Sequence, residues 1–252
     1  MLSLFPEQAS TISGEIDSLF MLITYLVGFW FVVAEAVLLY MVFRHRRKPS
    51  SKAQYIEGNN RRQLAWVFVP VALIVICDLW IDIETTSVWN RIKLERPPAE
   101  QKVRVITQQW SWMFIHPGPD GQLDTADDIV TANELHVSVN TPTHYELESR
   151  DVVHNFSVPV FRIKQDAIPG RVISGWFEAT RTGRYDIQCA EMCGIGHGLM
   201  RASVVVETQE NYEQWMASAI QERQGLAFAA NGRTTFASLL NRSFHKPGGN
   251  NE

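Results

Sequence analysis

Two long apolar runs, followed by a change of rhythm, organise the chain. Leu19 to Phe43 is almost wholly apolar and exceeds the ~20 residues that a helix needs to span a bilayer. Leu64 to Ile81 is a second apolar run, interrupted by Pro70 and Asp78. Proline is tolerated in a spanning helix when neighbours satisfy the freed carbonyl. The pattern predicts helices over about 17–43 and 63–87, within an N-terminal segment 1–92. From Lys102 the runs shorten. Val103–Thr107, Leu135–Val139, His144–Glu148 and Ala202–Val206 are β-rich and separated by Pro, Gly, Asn and Asp clusters. Such spacing predicts one sandwich or barrel domain with a Greek-key path, over residues 93–208. Glu210 to Gln221 reads as a short amphipathic helix, and the Gly/Asn-rich tail from Gly225 as a flexible end, together 209–252.

Charge orients the two apolar runs. Residues 44–62 hold Arg44, Arg46, Arg47, Lys48, Lys52, Arg61 and Arg62 against one acid, Glu57. The positive-inside rule makes this loop cytoplasmic. Both chain ends, and everything after about residue 90, then lie on the outer side. The first run is not a typical signal peptide, because its positive charges follow it. The formal net charge is -4. Residues 1–92 carry eight acids and eight bases, so the whole excess falls on residues 93–252, with nineteen acids and fifteen bases. A mildly acidic outer part argues against nucleic acid and fits a basic protein partner.

Several polar groups are candidates with plainer alternatives. Glu35 and Asp78 are acids within apolar runs, so each is a functional candidate; facing a partner subunit is the simpler reading. The insertion from Pro117 to Asp128, with Asp120, Asp124, Asp127 and Asp128, suggests a calcium loop. It lacks the full EF-hand pattern, and a solvated acidic turn fits its Gly and Asp content better. His45 belongs to the basic loop, while His116, His136, His144 and His245 lack partners at ligand spacing and are assigned to surface or strand positions. Trp66, Trp80 and Trp89 are read as membrane-interface or packing aromatics.

The chemistry concentrates in Cys189 to Met200. This stretch holds Cys189, Glu191, Cys193, His197 and Met200, with Gly194, Gly196 and Gly198 between them. Soft sulfur donors beside imidazole suit copper, zinc or iron–sulfur centres. A Cys189–Cys193 disulfide is the bland alternative. Two bridging thiolates invite two copper ions, and each ion then needs its own imidazole. His154, in Asp151-Val152-Val153-His154-Asn155-Phe156, is the candidate from a distant strand end.

At this point the sequence resembles a known family. Cys-x-Glu-x-Cys-x3-His-x2-Met is similar to the dinuclear copper (CuA) loop of subunit II of the haem-copper cytochrome c oxidases. Gln109-Trp110-Ser111-Trp112 resembles the family's aromatic stretch, and Asp151–Phe156 its first-histidine motif. Lys164-Gln165-Asp166-Ala167-Ile168-Pro169-Gly170-Arg171 resembles a further characteristic run. The likeness covers about residues 15–222. It implies a two-helix transmembrane hairpin followed by an all-β cupredoxin-like Greek-key barrel. It implies that Cys189 and Cys193 bridge two coppers, that His154 and His197 each ligate one, and that Met200 is a weak ligand. Glu191 would offer its carbonyl to copper and its carboxylate to a magnesium ion shared with subunit I. Trp110 would be where electrons arrive from cytochrome c, and Asp151 part of the docking surface of that donor. The partners implied are subunit I, subunit III, and cytochrome c or a cytochrome-containing donor complex. The implied function is electron uptake from cytochrome c and delivery to haem in subunit I, where oxygen is reduced to water and protons are moved. The implied location is a bacterial-type cytoplasmic membrane or a mitochondrial inner membrane, with the soluble domain on the outer, periplasmic side.

Departures from the family pattern matter. Gln63 stands where a glutamate near a proton channel is common, with Glu57 as the nearest substitute. Ser111 stands where tyrosine is common. No Cys-x-x-Cys-His occurs, so no covalent haem is expected. Three alternatives remain: a quinol-oxidase subunit of the same fold, a membrane-tethered copper chaperone, and a nitrous-oxide-reducing enzyme. The first usually lacks the copper ligands, the second does not need Met200, His154 and Glu191 together, and the third needs a further catalytic copper domain.

Overall fold

The structure is a computed structural model that describes residues 5–49, 52 and 55–224. The tail from Gly225 and part of the basic loop lie outside the described residues.

Helix α1 spans Ser13–Arg44 and helix α2 spans Arg61–Lys93. Both are longer than the apolar runs alone predict, because polar residues extend each end. The Asn60 side chain accepts the Arg62 N–H at 3.0 Å and so caps α2. Arg91 and Lys93 in its last turn complement the helix dipole. Pro70 lies inside α2 without ending it. Glu15, in the first turn of α1, pairs with Arg91 at 2.6 Å, so the helices run antiparallel. Both helices are long and apolar enough to cross a membrane. Their outward faces carry exposed Phe31, Val32, Leu38, Phe68, Val69 and Ile76, the reverse of a water-soluble surface. Glu35 and Asp78 are exposed on this pair. The Gln63 carboxamide accepts the Gly58 N–H at 3.0 Å.

The second compact unit comprises residues 98 onward together with Ala9–Thr11. Its strands are β1 (Gln101–Gln108), β2 (Ser111–His116), β3 (Ile129–Ala132), β4 (Glu134–Ser138) and β5 (Thr143–Ser149). They continue with β6 (His154–Val158), β7 (Ile163–Ala167), β8 (Ile173–Phe177), β9 (Gly183–Cys189) and β10 (Arg201–Glu207). One sheet has the order β3-β2-β1-β5-β8 and the other β4-β10-β9-β6-β7. The pairs β1·β5 and β4·β10 are parallel, and the remainder antiparallel. Parallel neighbours that are distant in sequence give the Greek-key crossovers expected of a cupredoxin-like domain.

Strict alternation along β5 and β10 turns one face inward. Between the sheets lie Trp112, Phe114, Leu147, Phe156, Phe177 and Ile187, all essentially without solvent contact. Ala9 joins this core, which the sequence pattern did not predict. Its N–H donates to the Val160 carbonyl, its carbonyl accepts the Thr180 N–H, and Ser10 bridges to Ala179. The acidic insertion links β2 to β3. Its carboxylates accept internal donors, the N–H of Asp120 and Asp124 and the Thr125 hydroxyl, and Asp124 also pairs with Arg104.

A third helix covers 209–224, slightly longer than expected. Its Trp215 stacks on His136 at 4.0 Å and meets the His116 ring edge-on at 5.0 Å. Both histidines are on strands, as expected, but both are buried. His136 is flanked by carboxylates on both ring nitrogens, Glu207 at 3.0 Å and Glu134 at 2.9 Å. Burial, together with the nearby His136, pushes the His116 imidazole down to about 3.

Candidate metal centre

Strand register brings the distant ligand candidates together. Phe156 pairs with Cys189 across β6 and β9, which sets His154, two residues along β6, at the same end of the sheet. The Ala190 N–H then donates to the Asn155 carbonyl. Cys189 closes β9 and Met200 precedes β10. The Cys189 N–H donates to the Met200 carbonyl at 3.2 Å, which seals the base of the loop between them. Inside the loop the His197 N–H donates to the Gly194 carbonyl, and a short 3₁₀ turn covers His197–Leu199. Gly194 has φ +125°, a conformation that side-chain-bearing residues rarely adopt.

The donors converge. Cys189 Sγ and Cys193 Sγ are 3.8 Å apart. Both thiols are free, and this separation far exceeds the ~2.05 Å of a disulfide. His154 Nδ1 is 3.9 Å from Cys189 Sγ, and His197 Nδ1 is 3.6 Å from Cys193 Sγ. Met200 Sδ is 3.8 Å from Cys193 Sγ, and the Glu191 carbonyl oxygen is 3.3 Å from Cys189 Sγ. Ligands bonded at ~2.0–2.3 Å to one tetrahedral ion sit ~3.3–3.8 Å apart, so these spacings fit shared metal ions. Ligating atoms of His154, Cys189 and Cys193 lie within 4.8 Å of one another, and His197 stands outside that set. The centre is therefore elongated, with one imidazole at each end of the sulfur pair.

Burial is uneven across the donors. His154 is wholly buried, Cys193 and Met200 nearly so, and the Glu191 residue is exposed. Burial, and after it the neighbouring Cys189, pushes the Cys193 thiol up to about 11. Asp151 Oδ1 lies 2.8 Å from His154 Nε2. The same carboxylate accepts the backbone N–H groups of Gln109 at 2.6 Å and Val152 at 2.7 Å. Burial raises the Asp151 carboxyl, but these donors and His154 outweigh it and hold the group below the usual carboxylate range. Asp151, expected as a docking residue, contacts the candidate ligand His154 from behind. Trp110 is 40% exposed and lies against the loop. A Cβ on Gly196 would fall 2.3 Å from the Trp110 ring, so only glycine admits this approach. Gln109 was not singled out by its sequence, yet its Nε2 donates to the Cys193 carbonyl at 2.7 Å. Its position directly before Trp110 was the only available signal.

A pair of membrane-length helices followed by a cupredoxin-like domain with a cluster of Cys, His and Met donors defines the class: a two-helix, cupredoxin-type chain with a candidate soft-metal site. The comparisons with known proteins narrow this class. A family model described as "Cytochrome C oxidase subunit II, periplasmic domain" matches residues 102–208. The chain is 33% identical over 225 residues to the alternative cytochrome c oxidase subunit 2 of Bradyrhizobium diazoefficiens, covering 81% of this chain and 79% of that protein. It is 28% identical to cytochrome c oxidase subunit 2 of Thermostichus vulcanus, covering 97% and 85% respectively. Among solved structures, the periplasmic domain of subunit II of the cytochrome oxidase of Bradyrhizobium japonicum is 31% identical, with a TM-score of 0.43. It aligns with 50% of this chain and 97% of that domain. The chain belongs to the cytochrome c oxidase subunit II family. It is therefore a subunit of a cytochrome c oxidase, an oxidoreductase.

Proposed function

We propose that this subunit receives electrons from cytochrome c at a dinuclear copper (CuA) centre and passes them to haem in subunit I. The observation that carries this reading is the sulfur pair, 3.8 Å apart, with a separate imidazole beside each sulfur. Cys189 and Cys193 would hold both ions, with His154 and His197 each holding one. Met200 would be the weak ligand and the Glu191 carbonyl would serve the other ion. Copper held by this donor set would supply one-electron uptake and release, and the thiolates of Cys189 and Cys193 would spread the electron so that the ligands need move little. The rigid β-scaffold restrains the ligands, and the buried His154, Cys193 and Met200 keep water from an open coordination position. Oxygen chemistry and proton translocation therefore belong to the partner subunit.

Trp110 is where electrons arrive, because it is part-exposed and rests on the ligand loop. Asp151 contributes to the surface on which the donor docks. The exposed Glu191 carboxylate reaches a magnesium ion shared with subunit I, and subunit III completes the membrane partners. The basic loop 44–62 faces the cytoplasm; the β-domain and both ends face the periplasm, by the positive-inside rule. The test is copper loading of the full-length chain in detergent. Two coppers per chain, with paramagnetic resonance showing one electron shared equally, are expected. A mononuclear signal would sink the reading.

A further inference from the structure

Gln109 lies in the turn between β1 and β2 and makes two bonds that meet at the centre. Its side-chain Nε2 donates to the Cys193 carbonyl at 2.7 Å. Its backbone N–H donates to Asp151 Oδ2 at 2.6 Å, and the other oxygen of that carboxylate lies 2.8 Å from His154 Nε2. A continuous hydrogen-bonded path thus runs from Cys193 through Gln109 and Asp151 to His154. These ligands come from different elements: Cys193 from the β9–β10 loop and His154 from the start of β6.

The path has little slack. A Cβ on Gly194 would lie 2.9 Å from Gln109 Nε2 and 3.4 Å from the Trp110 ring. The amide therefore fills the space above Gly194, and the following residue places its indole over Gly196. A carboxamide suits this position because it reaches the carbonyl and donates without bringing charge toward the thiols.

Resting on the copper reading above, we infer that Gln109 is a positioning residue for electron uptake. It fixes Cys193 relative to His154 and holds Trp110 against the ligand loop. It therefore influences both the reduction potential of the centre and the rate at which Trp110 delivers electrons. Removing its donor frees the 194–196 segment, so the ligands reorganise more on each electron transfer.

The test uses the assembled oxidase with Gln109→Met, which keeps length without a donor, and Gln109→Glu, which keeps shape but turns an acceptor toward the Cys193 carbonyl. Copper content, paramagnetic resonance, midpoint potential and the rate of reduction by a soluble cytochrome c are measured in each. Copper should stay at the unaltered level, with the electron still shared. The potential should shift, and reduction should slow by about tenfold, the scale of one hydrogen bond's net contribution. Gln109→Glu should show the larger effect, since two acceptors then oppose each other. Unchanged potential and rate with copper retained would overturn the inference. Loss of copper from both variants would overturn it too, by reducing Gln109 to a folding requirement. Failure of the underlying copper reading looks different: the unaltered oxidase would itself lack the shared-electron signal.

Discussion

Asp151 Oδ1 and His154 Nε2 are 2.8 Å apart, on the side of the imidazole away from Cys189. Nδ1 is left facing the sulfur, at 3.9 Å. A carboxylate on the outer nitrogen fixes both ring orientation and tautomer, the arrangement common to metal-bound histidines. Asp151→Asn should keep the fold and weaken copper binding by about tenfold or more, the range for such outer-shell partners. Competition with a chelator of known affinity measures it. Affinity equal to the unaltered chain would leave Asp151 with the docking role alone.

Met200 is buried, with its sulfur 3.8 Å from Cys193 Sγ. On the proposed reading it is a weak ligand that would tune the centre without holding it. Met200→Leu conserves volume and should retain both coppers while moving the potential and the transfer rate. Complete loss of copper would show Met200 to be a principal ligand.

The contact between Trp110 and Gly196 leaves no room for a methyl group. Gly196→Ala should push the indole off the loop and destabilise the β-domain by about 1–3 kcal/mol, as overpacking does. Reduction by cytochrome c should slow, with the copper spectrum unchanged. Trp110→Gln should give the same slow phase without the stability loss. An unaltered reduction rate in both would remove Trp110 from the electron path.

His116 gives the β-domain a pH dependence. Its folded-state value is about 3, pushed down by burial, against an ordinary value of 6.5. Between these values the unfolded chain binds a proton that the folded chain excludes. Stability is therefore complete above about pH 6.5 and falls as pH drops toward 3, with a slope of at most ~1.4 kcal/mol per unit. Tryptophan fluorescence during thermal unfolding, measured from pH 7 to 4, follows this decline. His116→Gln should flatten it; an identical decline would assign the effect to other groups.

Trp215 ties the helix over 209–224 to the sheet through its stack on His136. Trp215→Ala should cost about 1–3 kcal/mol through lost area and ring contact. Hydrogen exchange should rise across 209–224 while the copper loop keeps its protection. Uniform exchange in both forms would show that other contacts hold the helix.

The sequence revealed features set by local pattern. The length of the apolar runs announced α1 and α2, and alternation announced β5 and β10. The spacing of Cys189, Cys193, His197 and Met200 announced one side of the centre. His154 stood out only as a candidate at a distant strand end, and the β6–β9 register is what brings it to Cys189. The links from Gln109 to Asp151 and Cys193 span 42 and 84 residues, so no local periodicity encodes them. The burial of His116 and His136 escaped for the same reason: their partner Trp215 lies on a helix near the other end of the chain. Ala9 escaped because a short polar segment shows nothing of the edge it will pair with.

That pairing of Ala9–Thr11 with the β-domain makes the domain discontinuous in the chain. By sequence, the two membrane-length helices are an insertion between residue 11 and residue 98. The first part of the domain to be synthesised is thus held unpaired until Val160 and Ala179 emerge, and closure is a late, long-range event. A fragment beginning after the helices would leave the Val160 carbonyl and the Thr180 N–H without these partners and uncover a seam beside Phe161. The segment ahead of the first helix therefore acts as a clasp, and its removal should show in the unfolding rate of the β-domain before it shows in the copper centre.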